Sequence, residues 1–168
     1  MALTKIGKEG ITGISNSSNA TAITIDSSER VLMPSQPSFR AESAAIGYAT
    51  TAAIPFASVQ HNVGSHFSTA TNRFTAPIAG TYMFHVHVGF VRFENATNYA
   101  QLELRLNGAN EVYSYHNIDV SPSNYLYLAV SSLIQLNAND YVHTQIALSN
   151  ASYYADAREL QFYGYLVN

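Results

Sequence analysis

Cysteine is absent from all 168 residues. That excludes a disulfide framework, a zinc–thiolate site and a cysteine nucleophile, so stability must come from packing and association. Charge is scarce too. Asp, Glu, Lys and Arg make up 11% of the chain, against roughly 25% in ordinary soluble domains. Both lysines, Lys5 and Lys8, lie in the first eight residues, and beyond residue 10 six arginines face ten acids. No basic stripe remains to hold a phosphate backbone, which argues against a nucleic-acid partner. No apolar run approaches the roughly 20 residues of a membrane helix, so membrane insertion is not expected. Residues 1–33 lack the basic segment followed by an apolar one that marks a secretion leader, and none is expected.

What fills the chain instead is Asn, Ser and Thr, with twelve tyrosines and eight phenylalanines. So many aromatics exclude a disordered chain. A polar but weakly charged surface suits a protein whose outside is partly covered in an assembly. The length is enough for one domain with a real core.

Residues 1–36 differ from the remainder. Gly7, Gly10 and Gly13 are followed by a Ser/Asn run and a short Ile/Thr alternation through Ile23 and Ile25. Two weak strands without a core of their own are expected here. Pro34 and Pro37 mark a boundary. We read 1–36 as an attachment arm, with Lys5, Ile6, Lys8, Ile11, Ile14, Ile23 and Ile25 as its candidate contact residues.

From residue 37 to 168 the strands come steadily, with no helical period. The central strand is expected over 81–93. There Tyr82, Phe84, Val86 and Val88 alternate with Met83, His85, His87 and Gly89, giving one wholly apolar face. It is entered through a turn at Ala79-Gly80, where glycine accepts positive φ. Other strands are expected at 38–42, 54–59, 99–106, 111–118, 125–135, 141–148 and 160–167. In 99–106, Leu102, Leu104 and Leu106 point inward, and Gln101, Glu103 and Arg105 outward. Asn107-Gly108 reads as a tight hairpin turn. The pattern argues for an all-β sandwich.

In the last strand Leu160, Phe162 and Leu166 share one face, and Tyr163, Tyr165 and Val167 the other. Neither face should lie open to water. One fits the core; the other needs a second surface, and tyrosine suits an interface.

The spacing Phe56, Asn62, Phe67, Phe74, Gly80, Tyr82, Phe84, Val86 resembles the signature of the complement C1q-like globular domain, a relative of the tumour necrosis factor fold. Val86 stands where that family usually has an aromatic. The similarity continues through Leu106-Asn107-Gly108, Leu136-Asn137-Ala138-Asn139-Asp140 and Phe162-Tyr163-Gly164-Tyr165-Leu166. The resemblance implies a ten-stranded antiparallel jelly-roll sandwich over 37–168 that forms a homotrimer and binds other molecules, and implies no enzyme. With it, Tyr163, Tyr165, Val167, His85, His87, Tyr141 and His143 become the candidates for the threefold contact. The arm is similar to Gly/Ser/Asn-rich segments of tail-fibre and other virion proteins of marine tailed phages. Together the two resemblances imply a structural protein of a virus particle. It would decorate the capsid, as a head fibre does, or associate with the tail, and contact other virion proteins through the arm. The alternative is a receptor-binding tip that recognises a host surface glycan or protein through loops 94–98 and 149–155. Without a fibre shaft, a main tail fibre is not expected.

Candidate chemistry is thin. His85 and His87 share a strand face at a spacing that can chelate zinc or nickel, and His143 would have to supply a third ligand; packed histidines are the plainer account. Asp119 and Asp140 are available to calcium, which wants several hard oxygens at once, but neither sits in an acid-rich loop. No Gly-x-Ser-x-Gly elbow or His-Glu-x-x-His occurs, and no cofactor is expected. Asn16, Asn19, Asn95 and Asn150 match the glycosylation acceptor by composition.

Overall fold

The computed structural model describes residues 23–43, 52–93, 99–117, 126–149, 153–155 and 159–168. The chain divides into two compact units, Met1–Ser35 and Gln36–Asn168. In the first, β1 (Thr24–Ile25) and β2 (Val31–Leu32) form an antiparallel hairpin. Asp26 organises its turn, accepting from the Ser28 N–H at 2.8 Å and from Arg30 Nε at 2.7 Å. The Arg30 hydrogen bond holds that carboxyl below the usual carboxylate range. Ile23 and Ile25 are exposed in this unit. Lys5, Ile6, Lys8, Ile11 and Ile14 lie outside the described residues.

The second unit is all β. Its strands are β3 (Ser38–Ser43), β4 (Ala52–Ala53), β5 (Ser58–Val63), β6 (Phe67–Ser68), β7 (Arg73–Thr75), β8 (Gly80–Phe93), β9 (Tyr99–Leu106), β10 (Ala109–Asn117), β11 (Leu126–Leu136), β12 (Tyr141–Leu148), β13 (Tyr153–Ala155) and β14 (Leu160–Leu166). One sheet runs β11-β8-β14-β3-β5, with β13 paired to β8. The other runs β10-β9-β12-β7-β6, with β4 paired to β12. Ten strands therefore make the two continuous paths, and every pairing is antiparallel. The last strand lies between the first and the central one, the order of a jelly roll.

Period-two alternation explains the core. Tyr82, Phe84, Val86 and Val88 are all buried, while Thr81, Met83, His85 and His87 are half-exposed. The spaced aromatics converge on one cluster. Phe39 stacks on Phe67 at 4.9 Å and on Phe74 at 5.0 Å across the two sheets, and meets Phe162 edge-on at 4.8 Å. Asn62 closes the turn between β5 and β6. Its Nδ2 donates to the Phe67 carbonyl at 2.9 Å, and its Oδ1 accepts from the Phe67 N–H at 3.1 Å.

Three expectations change. Residues 54–59 are not one strand: β4 belongs to the second sheet and β5 to the first. The chain crosses between them at Ile54–Ala57, and Pro55 there has no N–H for a ladder. Ile54 and Phe56 anchor the crossing by donating to the Thr144 carbonyl and to Asn72 Oδ1. Gly80 opens β8 without positive φ; a Cβ there would sit 2.6 Å from the Asn168 carbonyl oxygen, so close approach is its reason. Glu103 lies on the outward face yet is only 4% exposed, because Arg105 pairs with it and Gln101 Nε2 donates to it at 3.0 Å. The Asn107-Gly108 hairpin forms as expected, with φ of 50° and 87°.

Candidate self-association face

The outward side of the first sheet carries the expected contact residues, and strand register arranges them in rows. Leu133 pairs with Met83, Met83 with Tyr165, and Tyr165 with Ser38. Ser131 pairs with His85, His85 with Tyr163, Tyr163 with Arg40, and Arg40 with His61. The first row is apolar and open: Leu133 is 61% exposed and Tyr165 47%. Val167, just past β14, is exposed beside it.

The second row is polar and interlocked. His85 stacks on Tyr163 at 4.8 Å, and its Nδ1 lies 2.6 Å from Ser131 Oγ. His87 is 5.7 Å from His85, ring to ring. Arg40 pairs with Glu42, and His61 Nε2 lies 2.7 Å from Ser38 Oγ. Along this row lies a hollow of about 410 Å³, lined by Ser38, Arg40, His61, Gln161, Tyr163 and Tyr165.

Burial pushes the His85 imidazole below its ordinary range, and neighbouring His87 adds to this. Burial also lowers His87, where Glu159 opposes the shift and Arg40 reinforces it. Each imidazole is thus held neutral to lower pH when folded than when unfolded. The unfolded chain takes up protons first as pH falls through about 6.5, so stability is expected to drop below that pH until the folded imidazoles also protonate. Urea midpoints at pH 7.5 and 5.5 check this. The difference should shrink in a His85→Gln/His87→Gln double variant, and an unchanged difference would refute the assignment.

Tyr141 and His143 are not part of this face. They project from β12, outward from the second sheet. Arg73 lies 4.1 Å over the Tyr141 ring, and His143 is 5.9 Å from it. Burial, then Arg73 and Arg105, keep the His143 pKa low, and its Nδ1 is buried without a hydrogen-bond partner. The third imidazole that a His85/His87 chelate requires is therefore on the opposite sheet. Among the described residues, no group of three metal-ligating side chains comes together. Asp140 serves its own turn, accepting from Asn107 Nδ2 at 2.8 Å and from the Asn137 N–H at 2.7 Å. Asp119 and loop 94–98 lie outside the described residues. Arg40, Met83, Ser131 and Leu133 were not foreseen as members of the face. Strand alternation alone marks each as outward, but only the register makes them neighbours.

The comparisons agree with this architecture. No curated protein sequence matches the chain. Among solved structures, the globular domain of zebrafish complement 1qA protein superposes with a TM-score of 0.61 at 17% identity, covering 79% of this chain and 98% of that one. Murine APRIL at pH 5.0 gives 0.61 at 11% identity, covering 79% and 99%. Eiger TNF from S. frugiperda gives 0.59 at 8% identity, covering 79% and 93%. At these identities the likeness establishes a shared fold. The C1q domain model matches residues 38–167, which is most of the chain, and the chain therefore belongs to the C1q domain family.

Proposed function

We propose that this chain is a non-enzymatic, homotrimeric module of a virus particle. The domain at 37–168 self-associates through the outward face of the first sheet, and the segment at 1–36 tethers it to other virion proteins. The observation that carries self-association is the apolar row of Leu133, Met83 and Tyr165, with Val167 exposed just past it, beside the half-buried row of His85 and Tyr163. Apolar and aromatic surface of this kind, free of unpaired charge, is the composition of an interface core. Membership of the C1q domain family supports a threefold arrangement. The virion setting, as capsid decoration or tail-associated protein, is supported by the arm's composition. A second reading, recognition of a host surface, is favoured by Tyr113 and Tyr115, which are exposed on the opposite sheet.

Light scattering at micromolar concentration tests the assembly. Three copies of 18.3 kDa are expected, and Tyr165→Ser should weaken the trimer by about tenfold or more, the scale of a central aromatic anchor. An unaltered chain that runs as a monomer would remove the proposal. The setting is tested separately, by looking for the chain in purified particles with a label at Met1.

A further inference from the structure

The outward face of the second sheet holds a group of side chains that neither self-association nor the core uses. Tyr99 and Tyr115 stack at 5.1 Å with their planes 26° apart. Tyr115 remains 51% exposed and Tyr113, two residues before it on the same strand face, 55%. Register places Tyr115 across from Gln101, which neighbours Ala147, and Tyr113 across from Glu103, which neighbours Gln145. Three rings thus form a raised edge along β10 and β9. Beside them lies a lower strip in which Ala147 contributes only a methyl group.

The polar groups of this strip are an ion pair and two amides. Glu103 is buried and paired with Arg105. Gln101 commits one amide hydrogen to Glu103 and keeps a second N–H and a carbonyl oxygen. Gln145 adds another amide on the same row. Flat aromatic rings beside amides that donate and accept suit a ligand with apolar C–H faces and many hydroxyls. Glu103 and Arg105 pair with each other, and the exposed carboxylate of Glu111, two residues before Tyr113, disfavours an anionic ligand.

We propose that this platform binds an uncharged oligosaccharide, with the pyranose C–H faces on Tyr115 and Tyr113 and the hydroxyls on Gln101 and Gln145. The aromatic area matches a small ligand better than a protein. Two half-exposed tyrosines offer about 200 Å², a quarter of the roughly 800 Å² per side of a stable protein interface, but enough for one or two sugar units. The inference deepens the recognition reading and rests on it. It does not depend on self-association, because every residue comes from one copy.

The test is affinity electrophoresis of the full chain through gels containing dextran, mannan, xylan or a neutral β-glucan, with heparin as the charged comparison. At least one neutral polysaccharide should retard the chain, independently of salt. Tyr115→Ala and Tyr113→Ala should each weaken retardation about fivefold or more, as for an interface residue worth over 1 kcal/mol. Tyr115→Phe, which keeps the ring, should retain most of it. Tyr165→Ser on the other sheet should leave retardation by the polysaccharide in place even where it alters the oligomer, so the two proposals fail separately. Circular dichroism confirms that each variant is folded. Retardation by none of the neutral polysaccharides, by heparin alone, or equally in both alanine variants would overturn the assignment.

Discussion

Phe162→Ala is expected to remove a large share of the domain's folding stability. Phe162 is fully buried on β14 and meets Phe39 at 4.8 Å, Phe56 at 5.7 Å, and Phe67 and Phe84 at 6.0 Å each. Those partners come from both sheets and from the crossing between them, so the ring joins the two layers of the sandwich. Its removal takes away apolar burial and leaves a cavity that four neighbouring rings cannot close together. Phe→Ala changes of this kind cost about 3–5 kcal/mol, against a total stability of about 5–15 kcal/mol for a domain. Urea unfolding followed by circular dichroism checks it. A midpoint within a few tenths molar of the unaltered chain, with the same slope, would show that the cluster is not the structural centre.

The second large effect is expected from adding one methyl group, at Gly164→Ala. A Cβ at this position would lie 2.6 Å from Phe84 Cδ1, 2.8 Å from the Met83 carbonyl oxygen and 2.9 Å from Phe84 Cε1. The carbonyl belongs to the neighbouring strand and cannot move without breaking the β8–β14 ladder. The Phe84 ring is held by Phe74 at 5.6 Å and by Phe162 at 6.0 Å. Overpacking of this kind costs about 1–3 kcal/mol. The displaced strand also carries Tyr163 and Tyr165, so the variant should also weaken the proposed trimer. Thermal unfolding and light scattering on the same sample measure both effects. A variant of unchanged stability would show that the two strands are less closely packed than the geometry indicates.

Much of this was legible before the structure. The alternation from Thr81 to Val88 places Tyr82, Phe84, Val86 and Val88 inward, and they are buried. Asn107-Gly108 names its own turn, because few residue pairs adopt two successive positive φ angles without strain. The spaced Phe and Asn positions of the C1q-like pattern converge on the aromatic cluster and on the Asn62 turn. Other features were not legible. Residues 54–59 read as a strand because Ile54, Phe56 and Val59 are apolar, yet the stretch passes from one sheet to the other. Glu103 read as a solvated outward acid. It is buried by Gln101 and Arg105, which flank it two residues away on the same strand face.

The candidate contact residues show the same division. Strand phase places Tyr163, Tyr165 and His85 outward, and they lie together on the outward face of the first sheet. Tyr141 and His143 obey the same phase on another strand, but β12 lies in the other sheet, which no local pattern states. Residue pattern was enough to say that the chain is built of strands and which side chains face the core, since a period of two is a property of each strand's own backbone. Which outward side chains become neighbours depends on strand order and register. Pairings such as Tyr163 with Arg40 join residues far apart in the chain, and it is the packing of the whole sandwich that selects them.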